Sequence, residues 1–465
     1  MMPAGRGRGA KPVPAHGGGG PAATLARVVR ALSSRRSFFK TSAAFAAAPL
    51  FAPRAWSSSP AETLNVACVG VGNMGHADLH GVRRGKNVRI VALCDVDEAF
   101  LGKAAAEHPD ARTFRDYRRM LDAMERDVDA VVVSTPDHMH AAVALAAMRR
   151  GKHVYCQKPL AHSLHECRRM AEVAAREKVV TQMGIQIHAH PAYRTAVAAL
   201  RGGVIGKVRA VHSWVGKSWA GPAEGRPERT DEVPDSLAWD LWLGVAPARS
   251  FVHGLYHPAQ WRGWTDFGTG TLGDMGCHIL DPVCSALDLG APVAVRSHGP
   301  AHRAETFAPD GDVRYEFAGT AFTDGAVTVR WTDGAARPDV SGAGLPADLQ
   351  LPAGGSLLLG TEGVMLLPHW AMPTVWRDGE VVADAFEHRP GGDHYCEWTD
   401  ACRGEGTTST PFSYAGPLSE TVLVGVVAGR FPGTTLRWDS AALQFDHAPA
   451  NAFVTRTYRE GWAIE

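Results

Sequence analysis

The chain lacks an excess of either charge: 48 Lys and Arg offset 48 Asp and Glu, for a formal net charge of zero. That balance carries no electrostatic footprint of a nucleic-acid or anionic-membrane binder. The chain also lacks any apolar run near the ~20 residues that cross a bilayer, so no stable membrane span is expected. Its eight cysteines show no framework spacing; Cys68, Cys94 and Cys156 fall in apolar runs and read as small packing residues. No internal repeat is present. What is left is 465 residues of 45% hydrophobic content, enough for two or three domains with sizeable cores.

Residues 1–60 stand apart. Met1–Gly20 is rich in Gly, Pro and Arg without apolar periodicity, the composition of a disordered extension. Arg35 and Arg36 precede Ser37-Phe38-Phe39-Lys40 and an Ala/Phe/Leu-rich stretch to Ala55 that holds no carboxylate. This pattern resembles a twin-arginine export signal. It predicts passage of the folded protein through the twin-arginine machinery into the periplasm. A basic amphipathic helix docked on the protein is the plainer alternative.

The most informative motif begins at the apolar run Leu64–Val69 and continues as Gly70-Val71-Gly72-Asn73-Met74-Gly75. A second apolar run, Val88–Leu93, leads to Asp95, twenty residues beyond Gly75. Strand, G-x-G-x-x-G, helix, strand and acid at this spacing form a dinucleotide-binding fingerprint. Gly70 permits the tight turn, Gly72 lets backbone approach a pyrophosphate, and Gly75 lets helix and strand pack closely. The following helix offers free N–H groups to phosphate. Asp95 suits ribose hydroxyls and repels a 2′-phosphate, so the expected cofactor is NAD rather than NADP.

From Leu64 to Gly184, strands predicted at 64–69, 88–93, 129–134, 153–157 and 179–183 alternate with helices at 75–84, 97–107, 115–125, 137–150 and 162–176. This α/β alternation predicts a doubly wound parallel sheet of Rossmann type over 61–185, with ligands beyond the carboxyl ends of the strands. After residue 185 the pattern shifts to a helix at 192–201, then strands near 208–214, 313–318, 325–331, 355–359, 363–367 and 373–377, and late helices at 394–403 and 418–430. This predicts an α+β domain over 186–465 with an open, mostly antiparallel sheet.

Three segments carry chemistry. Ser134-Thr135-Pro136-Asp137-His138-Met139-His140 follows one predicted strand; Thr135, Pro136 and His140 are candidates for nicotinamide or substrate contact, while Asp137 reads as ordinary helix-start chemistry. Cys156-Gln157-Lys158-Pro159 ends the next strand. Pro159 biases Lys158 to an extended backbone, which sets an ammonium at the crevice mouth where it can stabilise alkoxide charge. Asp274 and His278 lie four apart in a Gly-rich segment and share one helical face. The acid can orient the imidazole or a substrate hydroxyl, and the imidazole can take a proton near neutral pH. A metal pair is the rival, but neither H-x-x-H nor CxxC stands beside it, so no metal is expected; a satisfied structural histidine is the plainer reading. Trp214, Trp219, Trp261, His188 and Tyr193 are candidate contacts to a sugar face and its hydroxyls, against the alternative of loop packing.

These motifs resemble the Gfo/Idh/MocA oxidoreductase family over roughly residues 63–465. Trp239–Gly244, Trp261–Trp264, Phe412–Gly416 and Arg430–Gly433 are similar to its exported, twin-arginine branch. The resemblance implies that Lys158, Asp274 and His278 form the catalytic set, that Gly70, Gly72, Asn73, Met74, Gly75, Asp95, Thr135, Pro136, His140, Gln157 and Lys158 hold NAD, and that the open sheet mediates homo-oligomers. Gln157 departs from the Glu usual before Lys-Pro, which bears on cofactor affinity. The implied activity is NAD-dependent oxidation of a carbinol in a sugar, polyol or glycoside. One alternative is a glycosidase resembling the NAD-dependent α-N-acetylgalactosaminidases, which would oxidise C3 transiently, eliminate the leaving group and retain its cofactor. Another is a cofactor-loaded binding or scaffold protein.

Overall fold

The computed structural model describes residues 63–464 apart from Ala347. The expected export segment within 1–60, with Arg35 and Arg36, lies outside the described residues.

The first half alternates strand and helix: β1 (Leu64–Val69), α1 (Met74–Arg83), β2 (Val88–Cys94), α2 (Glu98–Glu107), β3 (Arg112–Phe114), α3 (Tyr117–Ala123), β4 (Ala130–Val133), α4 (Asp137–Met148), β5 (His153–Gln157), α5 (Leu164–Glu177) and β6 (Thr181–Gly184). The strands pair in parallel in the order β3-β2-β1-β4-β5-β6. Every residue of β4, Ala-Val-Val-Val, is buried, because helices cover both faces of a parallel sheet. The strand order reverses between β1 and β4, and a crevice opens there beyond the strand ends. Local signals set the helices. Ser163 and Glu166 form a reciprocal capping box at the start of α5, and Asp97 and Asp116 cap α2 and α3 through Ala99 N and Arg118 N.

The second half runs α6 (Pro191–Arg201), β7 (Val208–Val215), α7 (Trp239–Leu243), α8 (Gly270–Ile279), α9 (Asp281–Leu287), β8 (Ala294–Ser297), β9 (Asp312–Phe317), β10 (Thr323–Asp333), β11 (Gly354–Gly360), β12 (Val364–Pro368), β13 (Thr374–Arg377), β14 (Glu380–Val381), α10 (His394–Cys402), α11 (Phe412–Ala428), β15 (Thr435–Asp439) and β16 (Gln444–Phe445). Ten strands form one open sheet, β14-β13-β12-β11-β7-β10-β9-β8-β15-β16. Its pairs are antiparallel except β7 with β10. In β9, Val313, Tyr315 and Phe317 are buried while Arg314 and Glu316 are exposed, the period of a sheet with one wet face. Helix α11 joins the two halves, packing on α5 and β6 on one side and on α8, β8 and β9 on the other.

The fold class is as the sequence predicts, and the differences have local causes. Edge strand β3 is three residues long, with Arg112 and Thr113 exposed, so it carries no hydrophobic period. Strands β8, β14, β15 and β16, of two to five residues, are likewise too short to show a period and are absent from the predicted set. Helix α11 begins at Phe412, ahead of the predicted 418, and Pro417 sits within it. Trp214, a predicted sugar contact, is instead a core residue. It is fully buried in β7 against Leu357, Leu366 and Trp376, and its indole donates to Pro352 O at 2.9 Å.

Candidate active site

The glycine loop is built as its spacing predicts. Gly70 has φ +79°, and a Cβ there would lie 2.6 Å from Ser134 O. A Cβ on Gly72 would lie 2.5 Å from the Phe100 ring, and one on Gly75 would fall 2.0 Å from Gly70 O. Helix α1 starts after Asn73 with no side-chain cap and no acidic residue in its first turn. Its positive end is therefore left for an anion. Asp95 closes β2; its two oxygens accept from Val71 N at 2.8 Å and Asp97 N at 2.9 Å. Those bonds fix the carboxylate at the cleft wall, even though burial raises its pKa. Among the described residues, Thr135 Oγ1 is buried without a partner, a free hydroxyl at the switch point. A tight glycine cradle, an uncapped helix end, a fixed acid and an orphan hydroxyl fit a dinucleotide.

Gly70, Gly72, Asn73, Met74, Asp95, Thr135, Pro136, His140, Gln157 and Lys158 all line one cleft, with Lys217, Trp261, Arg262, Asp274 and His278 facing them from the second half. His140 lines it but directs Nδ1 to Pro159 O at 2.8 Å and Nε2 to Thr135 O at 2.9 Å. Burial lowers the His140 pKa, and the neutral ring donates its one N–H to one of these carbonyls at a time; both nitrogens face backbone and neither is turned to a ligand. Buried Asp137 accepts from Thr269 Oγ1 at 2.6 Å and so links α4 to the entrance of α8.

Lys158 Nζ lies 2.7 Å from Asp274 Oδ1 and 2.9 Å from Asp274 O. The peptide bond to Pro159 is cis. Asp274 was expected to orient His278; it serves cations and an indole instead. Its Oδ2 accepts from Lys217 Nζ at 2.8 Å and Trp219 Nε1 at 2.7 Å, and Arg262 Nε stands 3.4 Å from Oδ1. Burial alone would raise the Asp274 pKa, but Lys158, Lys217 and Arg262 outweigh it and hold the carboxyl well below the usual range. His278 sits one turn further along α8. Burial, reinforced by the Lys158 charge, holds its pKa well below 6.5. Its Nδ1 is shielded and without a partner among the described residues. A neutral imidazole and a fixed ammonium thus share one wall.

The remaining predicted contacts divide. Trp261 lines the cleft, with Arg262 stacked over its ring at 4.2 Å. His188 and Tyr193 do not line it. His188 Nδ1 pairs with buried Asp281 Oδ2 at 2.9 Å, Tyr193 donates to Asp281 O at 3.3 Å, and Tyr414 donates to the Asp281 carboxylate. They brace the junction of α8 and α9 because a buried carboxylate needs donors.

The sequence reading passed over Asp78, Ser134 and Tyr395. Asp78 is fully buried on α1 and accepts from Ser134 Oγ at 2.7 Å, Gln157 Nε2 at 2.9 Å and Tyr395 OH at 2.9 Å. The available signal was a carboxylate on the apolar face of a helix, beside Leu79 and Val82. Lys217 and Arg262 were also passed over, because Lys217 lies just past the end of β7 and Arg262 in a single 3-10 turn, Gln260–Gly263, neither with a period to mark it.

Fold and site together define a dinucleotide-binding protein with a second domain closing the cofactor cleft. Residues 64–185 match the oxidoreductase family's NAD-binding Rossmann fold, and residues 203–333 match that family's C-terminal alpha/beta domain. The chain belongs to the Gfo/Idh/MocA oxidoreductase family, and its first domain is an NAD-binding one. It is 35% identical over 153 residues to inositol 2-dehydrogenase 2 of Saccharopolyspora erythraea, covering 32% of this chain and 44% of that protein. It is 25% identical over 190 residues to levoglucosan dehydrogenase of Pseudarthrobacter phenanthrenivorans, covering 41% and 40%. The matches thus span about half the length of these curated relatives or less. The fold is also similar to the WlbA dehydrogenase of Bordetella pertussis in complex with NADH and UDP-GlcNAcA, with TM-score 0.57, 18% identity, and 81% of this chain and 99% of that one covered.

Proposed function

We propose that this protein is an NAD-dependent dehydrogenase that oxidises a carbinol of a sugar, polyol or glycoside. One observation carries this reading. Lys158 Nζ is fixed 2.7 Å from Asp274 Oδ1, with neutral His278 one turn away, in the cleft that the glycine loop and Asp95 enter. In this reading Gly70, Gly72, Asn73, Met74, Asp95 and Thr135 hold NAD, which supplies the hydride acceptor. His278 takes the hydroxyl proton. The Lys158 ammonium polarises the reacting oxygen and stabilises its negative charge. Asp274 holds Lys158 in place, and Trp261 in the cleft wall offers an aromatic surface to a pyranose or cyclitol ring, while Trp219 packs under Lys217 and Arg262 and does not line the cleft. The names of the curated relatives support a polyol or anhydrosugar substrate, and nothing in the site favours the glycosidase alternative. The test is to mix purified protein and NAD with inositols, anhydrosugars and methyl glycosides while following NADH absorbance and released aglycone. Aglycone without NADH would overturn the dehydrogenase reading.

Export through the twin-arginine route to the periplasm is proposed on Arg35-Arg36 and the carboxylate-free stretch after them. An Arg35→Lys/Arg36→Lys variant that still reached the periplasm in full would refute it. A homo-oligomer built on the open sheet is proposed on the resemblance to the family, and sedimentation of a monomer at micromolar concentration would refute it.

A further inference from the structure

We propose that His76, His80 and Glu107 form a binding site for one zinc-class divalent cation, outside the active-site cleft and independent of the redox reading. His76 and His80 lie one turn apart on α1, and Glu107 is the last residue of α2. Their ligand atoms converge. His76 Nε2 is 3.1 Å from both Glu107 oxygens, His80 Nε2 is 2.9 Å from Glu107 Oε2, and the two Nε2 atoms are 3.2 Å apart. The two rings meet edge to face at 80° with centroids 4.4 Å apart, and do not stack.

Size points to a cation. Zinc with bonds of about 2.0–2.1 Å to nitrogen and oxygen has tetrahedral edges of about 3.3–3.4 Å, close to these separations. A point ~2 Å from all three atoms lies ~1 Å above their plane and leaves a fourth position for water.

The ligand chemistry sets the class. Two imidazoles and one carboxylate suit Zn²⁺ and its late first-row neighbours, not the all-oxygen preferences of Mg²⁺ or Ca²⁺. The side chains are 27%, 43% and 35% exposed, so an ion can enter from solvent without a channel. It would staple α1, the helix that begins at the glycine loop, to the end of α2.

The experiment uses untagged full-length protein stripped with a chelator. Zn²⁺ is titrated by calorimetry, and Co²⁺ replaces it for visible spectroscopy. One equivalent should bind wild type at least about tenfold more tightly than the His80→Gln/Glu107→Gln variant, since even outer-shell changes act on that scale. Co²⁺ should give an intense tetrahedral visible band in wild type alone. Zn²⁺ should raise the thermal midpoint of wild type and not of the variant, and NAD binding should report that both are folded. Should the double variant fail to fold, the Co²⁺ band of His80→Gln alone decides: loss supports the site and retention overturns it. Equal Zn²⁺ uptake by folded wild type and variant, absence of uptake, or displacement by equimolar Mg²⁺ would each overturn the proposal.

Discussion

Gln157 donates its carboxamide Nε2 to both oxygens of buried Asp78, 2.9 Å each. One charge and one amide therefore share the space beneath the cofactor cleft, where the family pattern would place a glutamate at 157. Gln157→Glu would set a second carboxylate against Asp78, and two such groups cannot both ionise at that distance. The variant should lose about 3 kcal/mol of stability and bind NAD more weakly at neutral pH. Adding Asp78→Asn should restore more than half of both losses, as urea denaturation and fluorescence titration would measure. If the double variant is no better than the single, the network does not act as a charge-matched pair.

Burial pushes the Asp78 carboxyl from 3.8 up to about 6, against the pull of Ser134, Gln157 and Tyr395. The folded state then binds this proton more tightly than the unfolded chain, so the contribution of Asp78 to stability falls as pH rises from about 4 to 6. The fall is of order 3 kcal/mol. Asp78→Asn should remove that part of the slope. Comparing urea midpoints of the two proteins between those pH values checks it, and parallel curves would refute it.

His278 is held neutral well below 6.5 by burial and then by Lys158. The acid limb of kcat/KM should therefore lie below the ordinary histidine range, with activity persisting as pH falls through 6. His278→Ala should cost ~10²–10⁴-fold in rate while NAD stays bound. Lys158→Met should cost ~10²–10³-fold and move the residual acid limb upward, because a positive neighbour is gone. An acid limb unmoved by Lys158→Met would separate His278 from the titration.

A methyl group on Gly75 would meet Gly70 O at 2.0 Å and Gly70 C at 2.7 Å, a clash with backbone that no side-chain movement relieves. Gly75→Ala should abolish NAD binding or folding altogether. At Gly102 nothing stands within 4 Å of a Cβ, so Gly102→Ala should be neutral or slightly stabilising, by up to about 1 kcal/mol. Thermal midpoints with and without NAD distinguish the two outcomes.

The sequence by itself determined the local grammar of this protein. Apolar runs such as Ala130–Val133 and the turn glycines Gly70 and Gly72 encode strand, loop and helix within a few residues of one another. The period of hydrophobicity and the backbone freedom of glycine are short-range properties. Lys158 at a strand end and the four-residue spacing of Asp274 and His278 were legible for the same reason. Tertiary structure decided which side chains meet. Tyr395 reaches Asp78 across 317 positions of chain and Gln157 across 79. Lys217, just past β7, and Arg262, in a single 3-10 turn, carry no period and take the carboxylate expected to serve His278. Trp214 goes to the core, and His188 and Tyr193 go to Asp281. Those outcomes depend on how α8, α10 and α11 pack against the two sheets, because buried charges and indoles take whatever partner the packing brings within bonding distance.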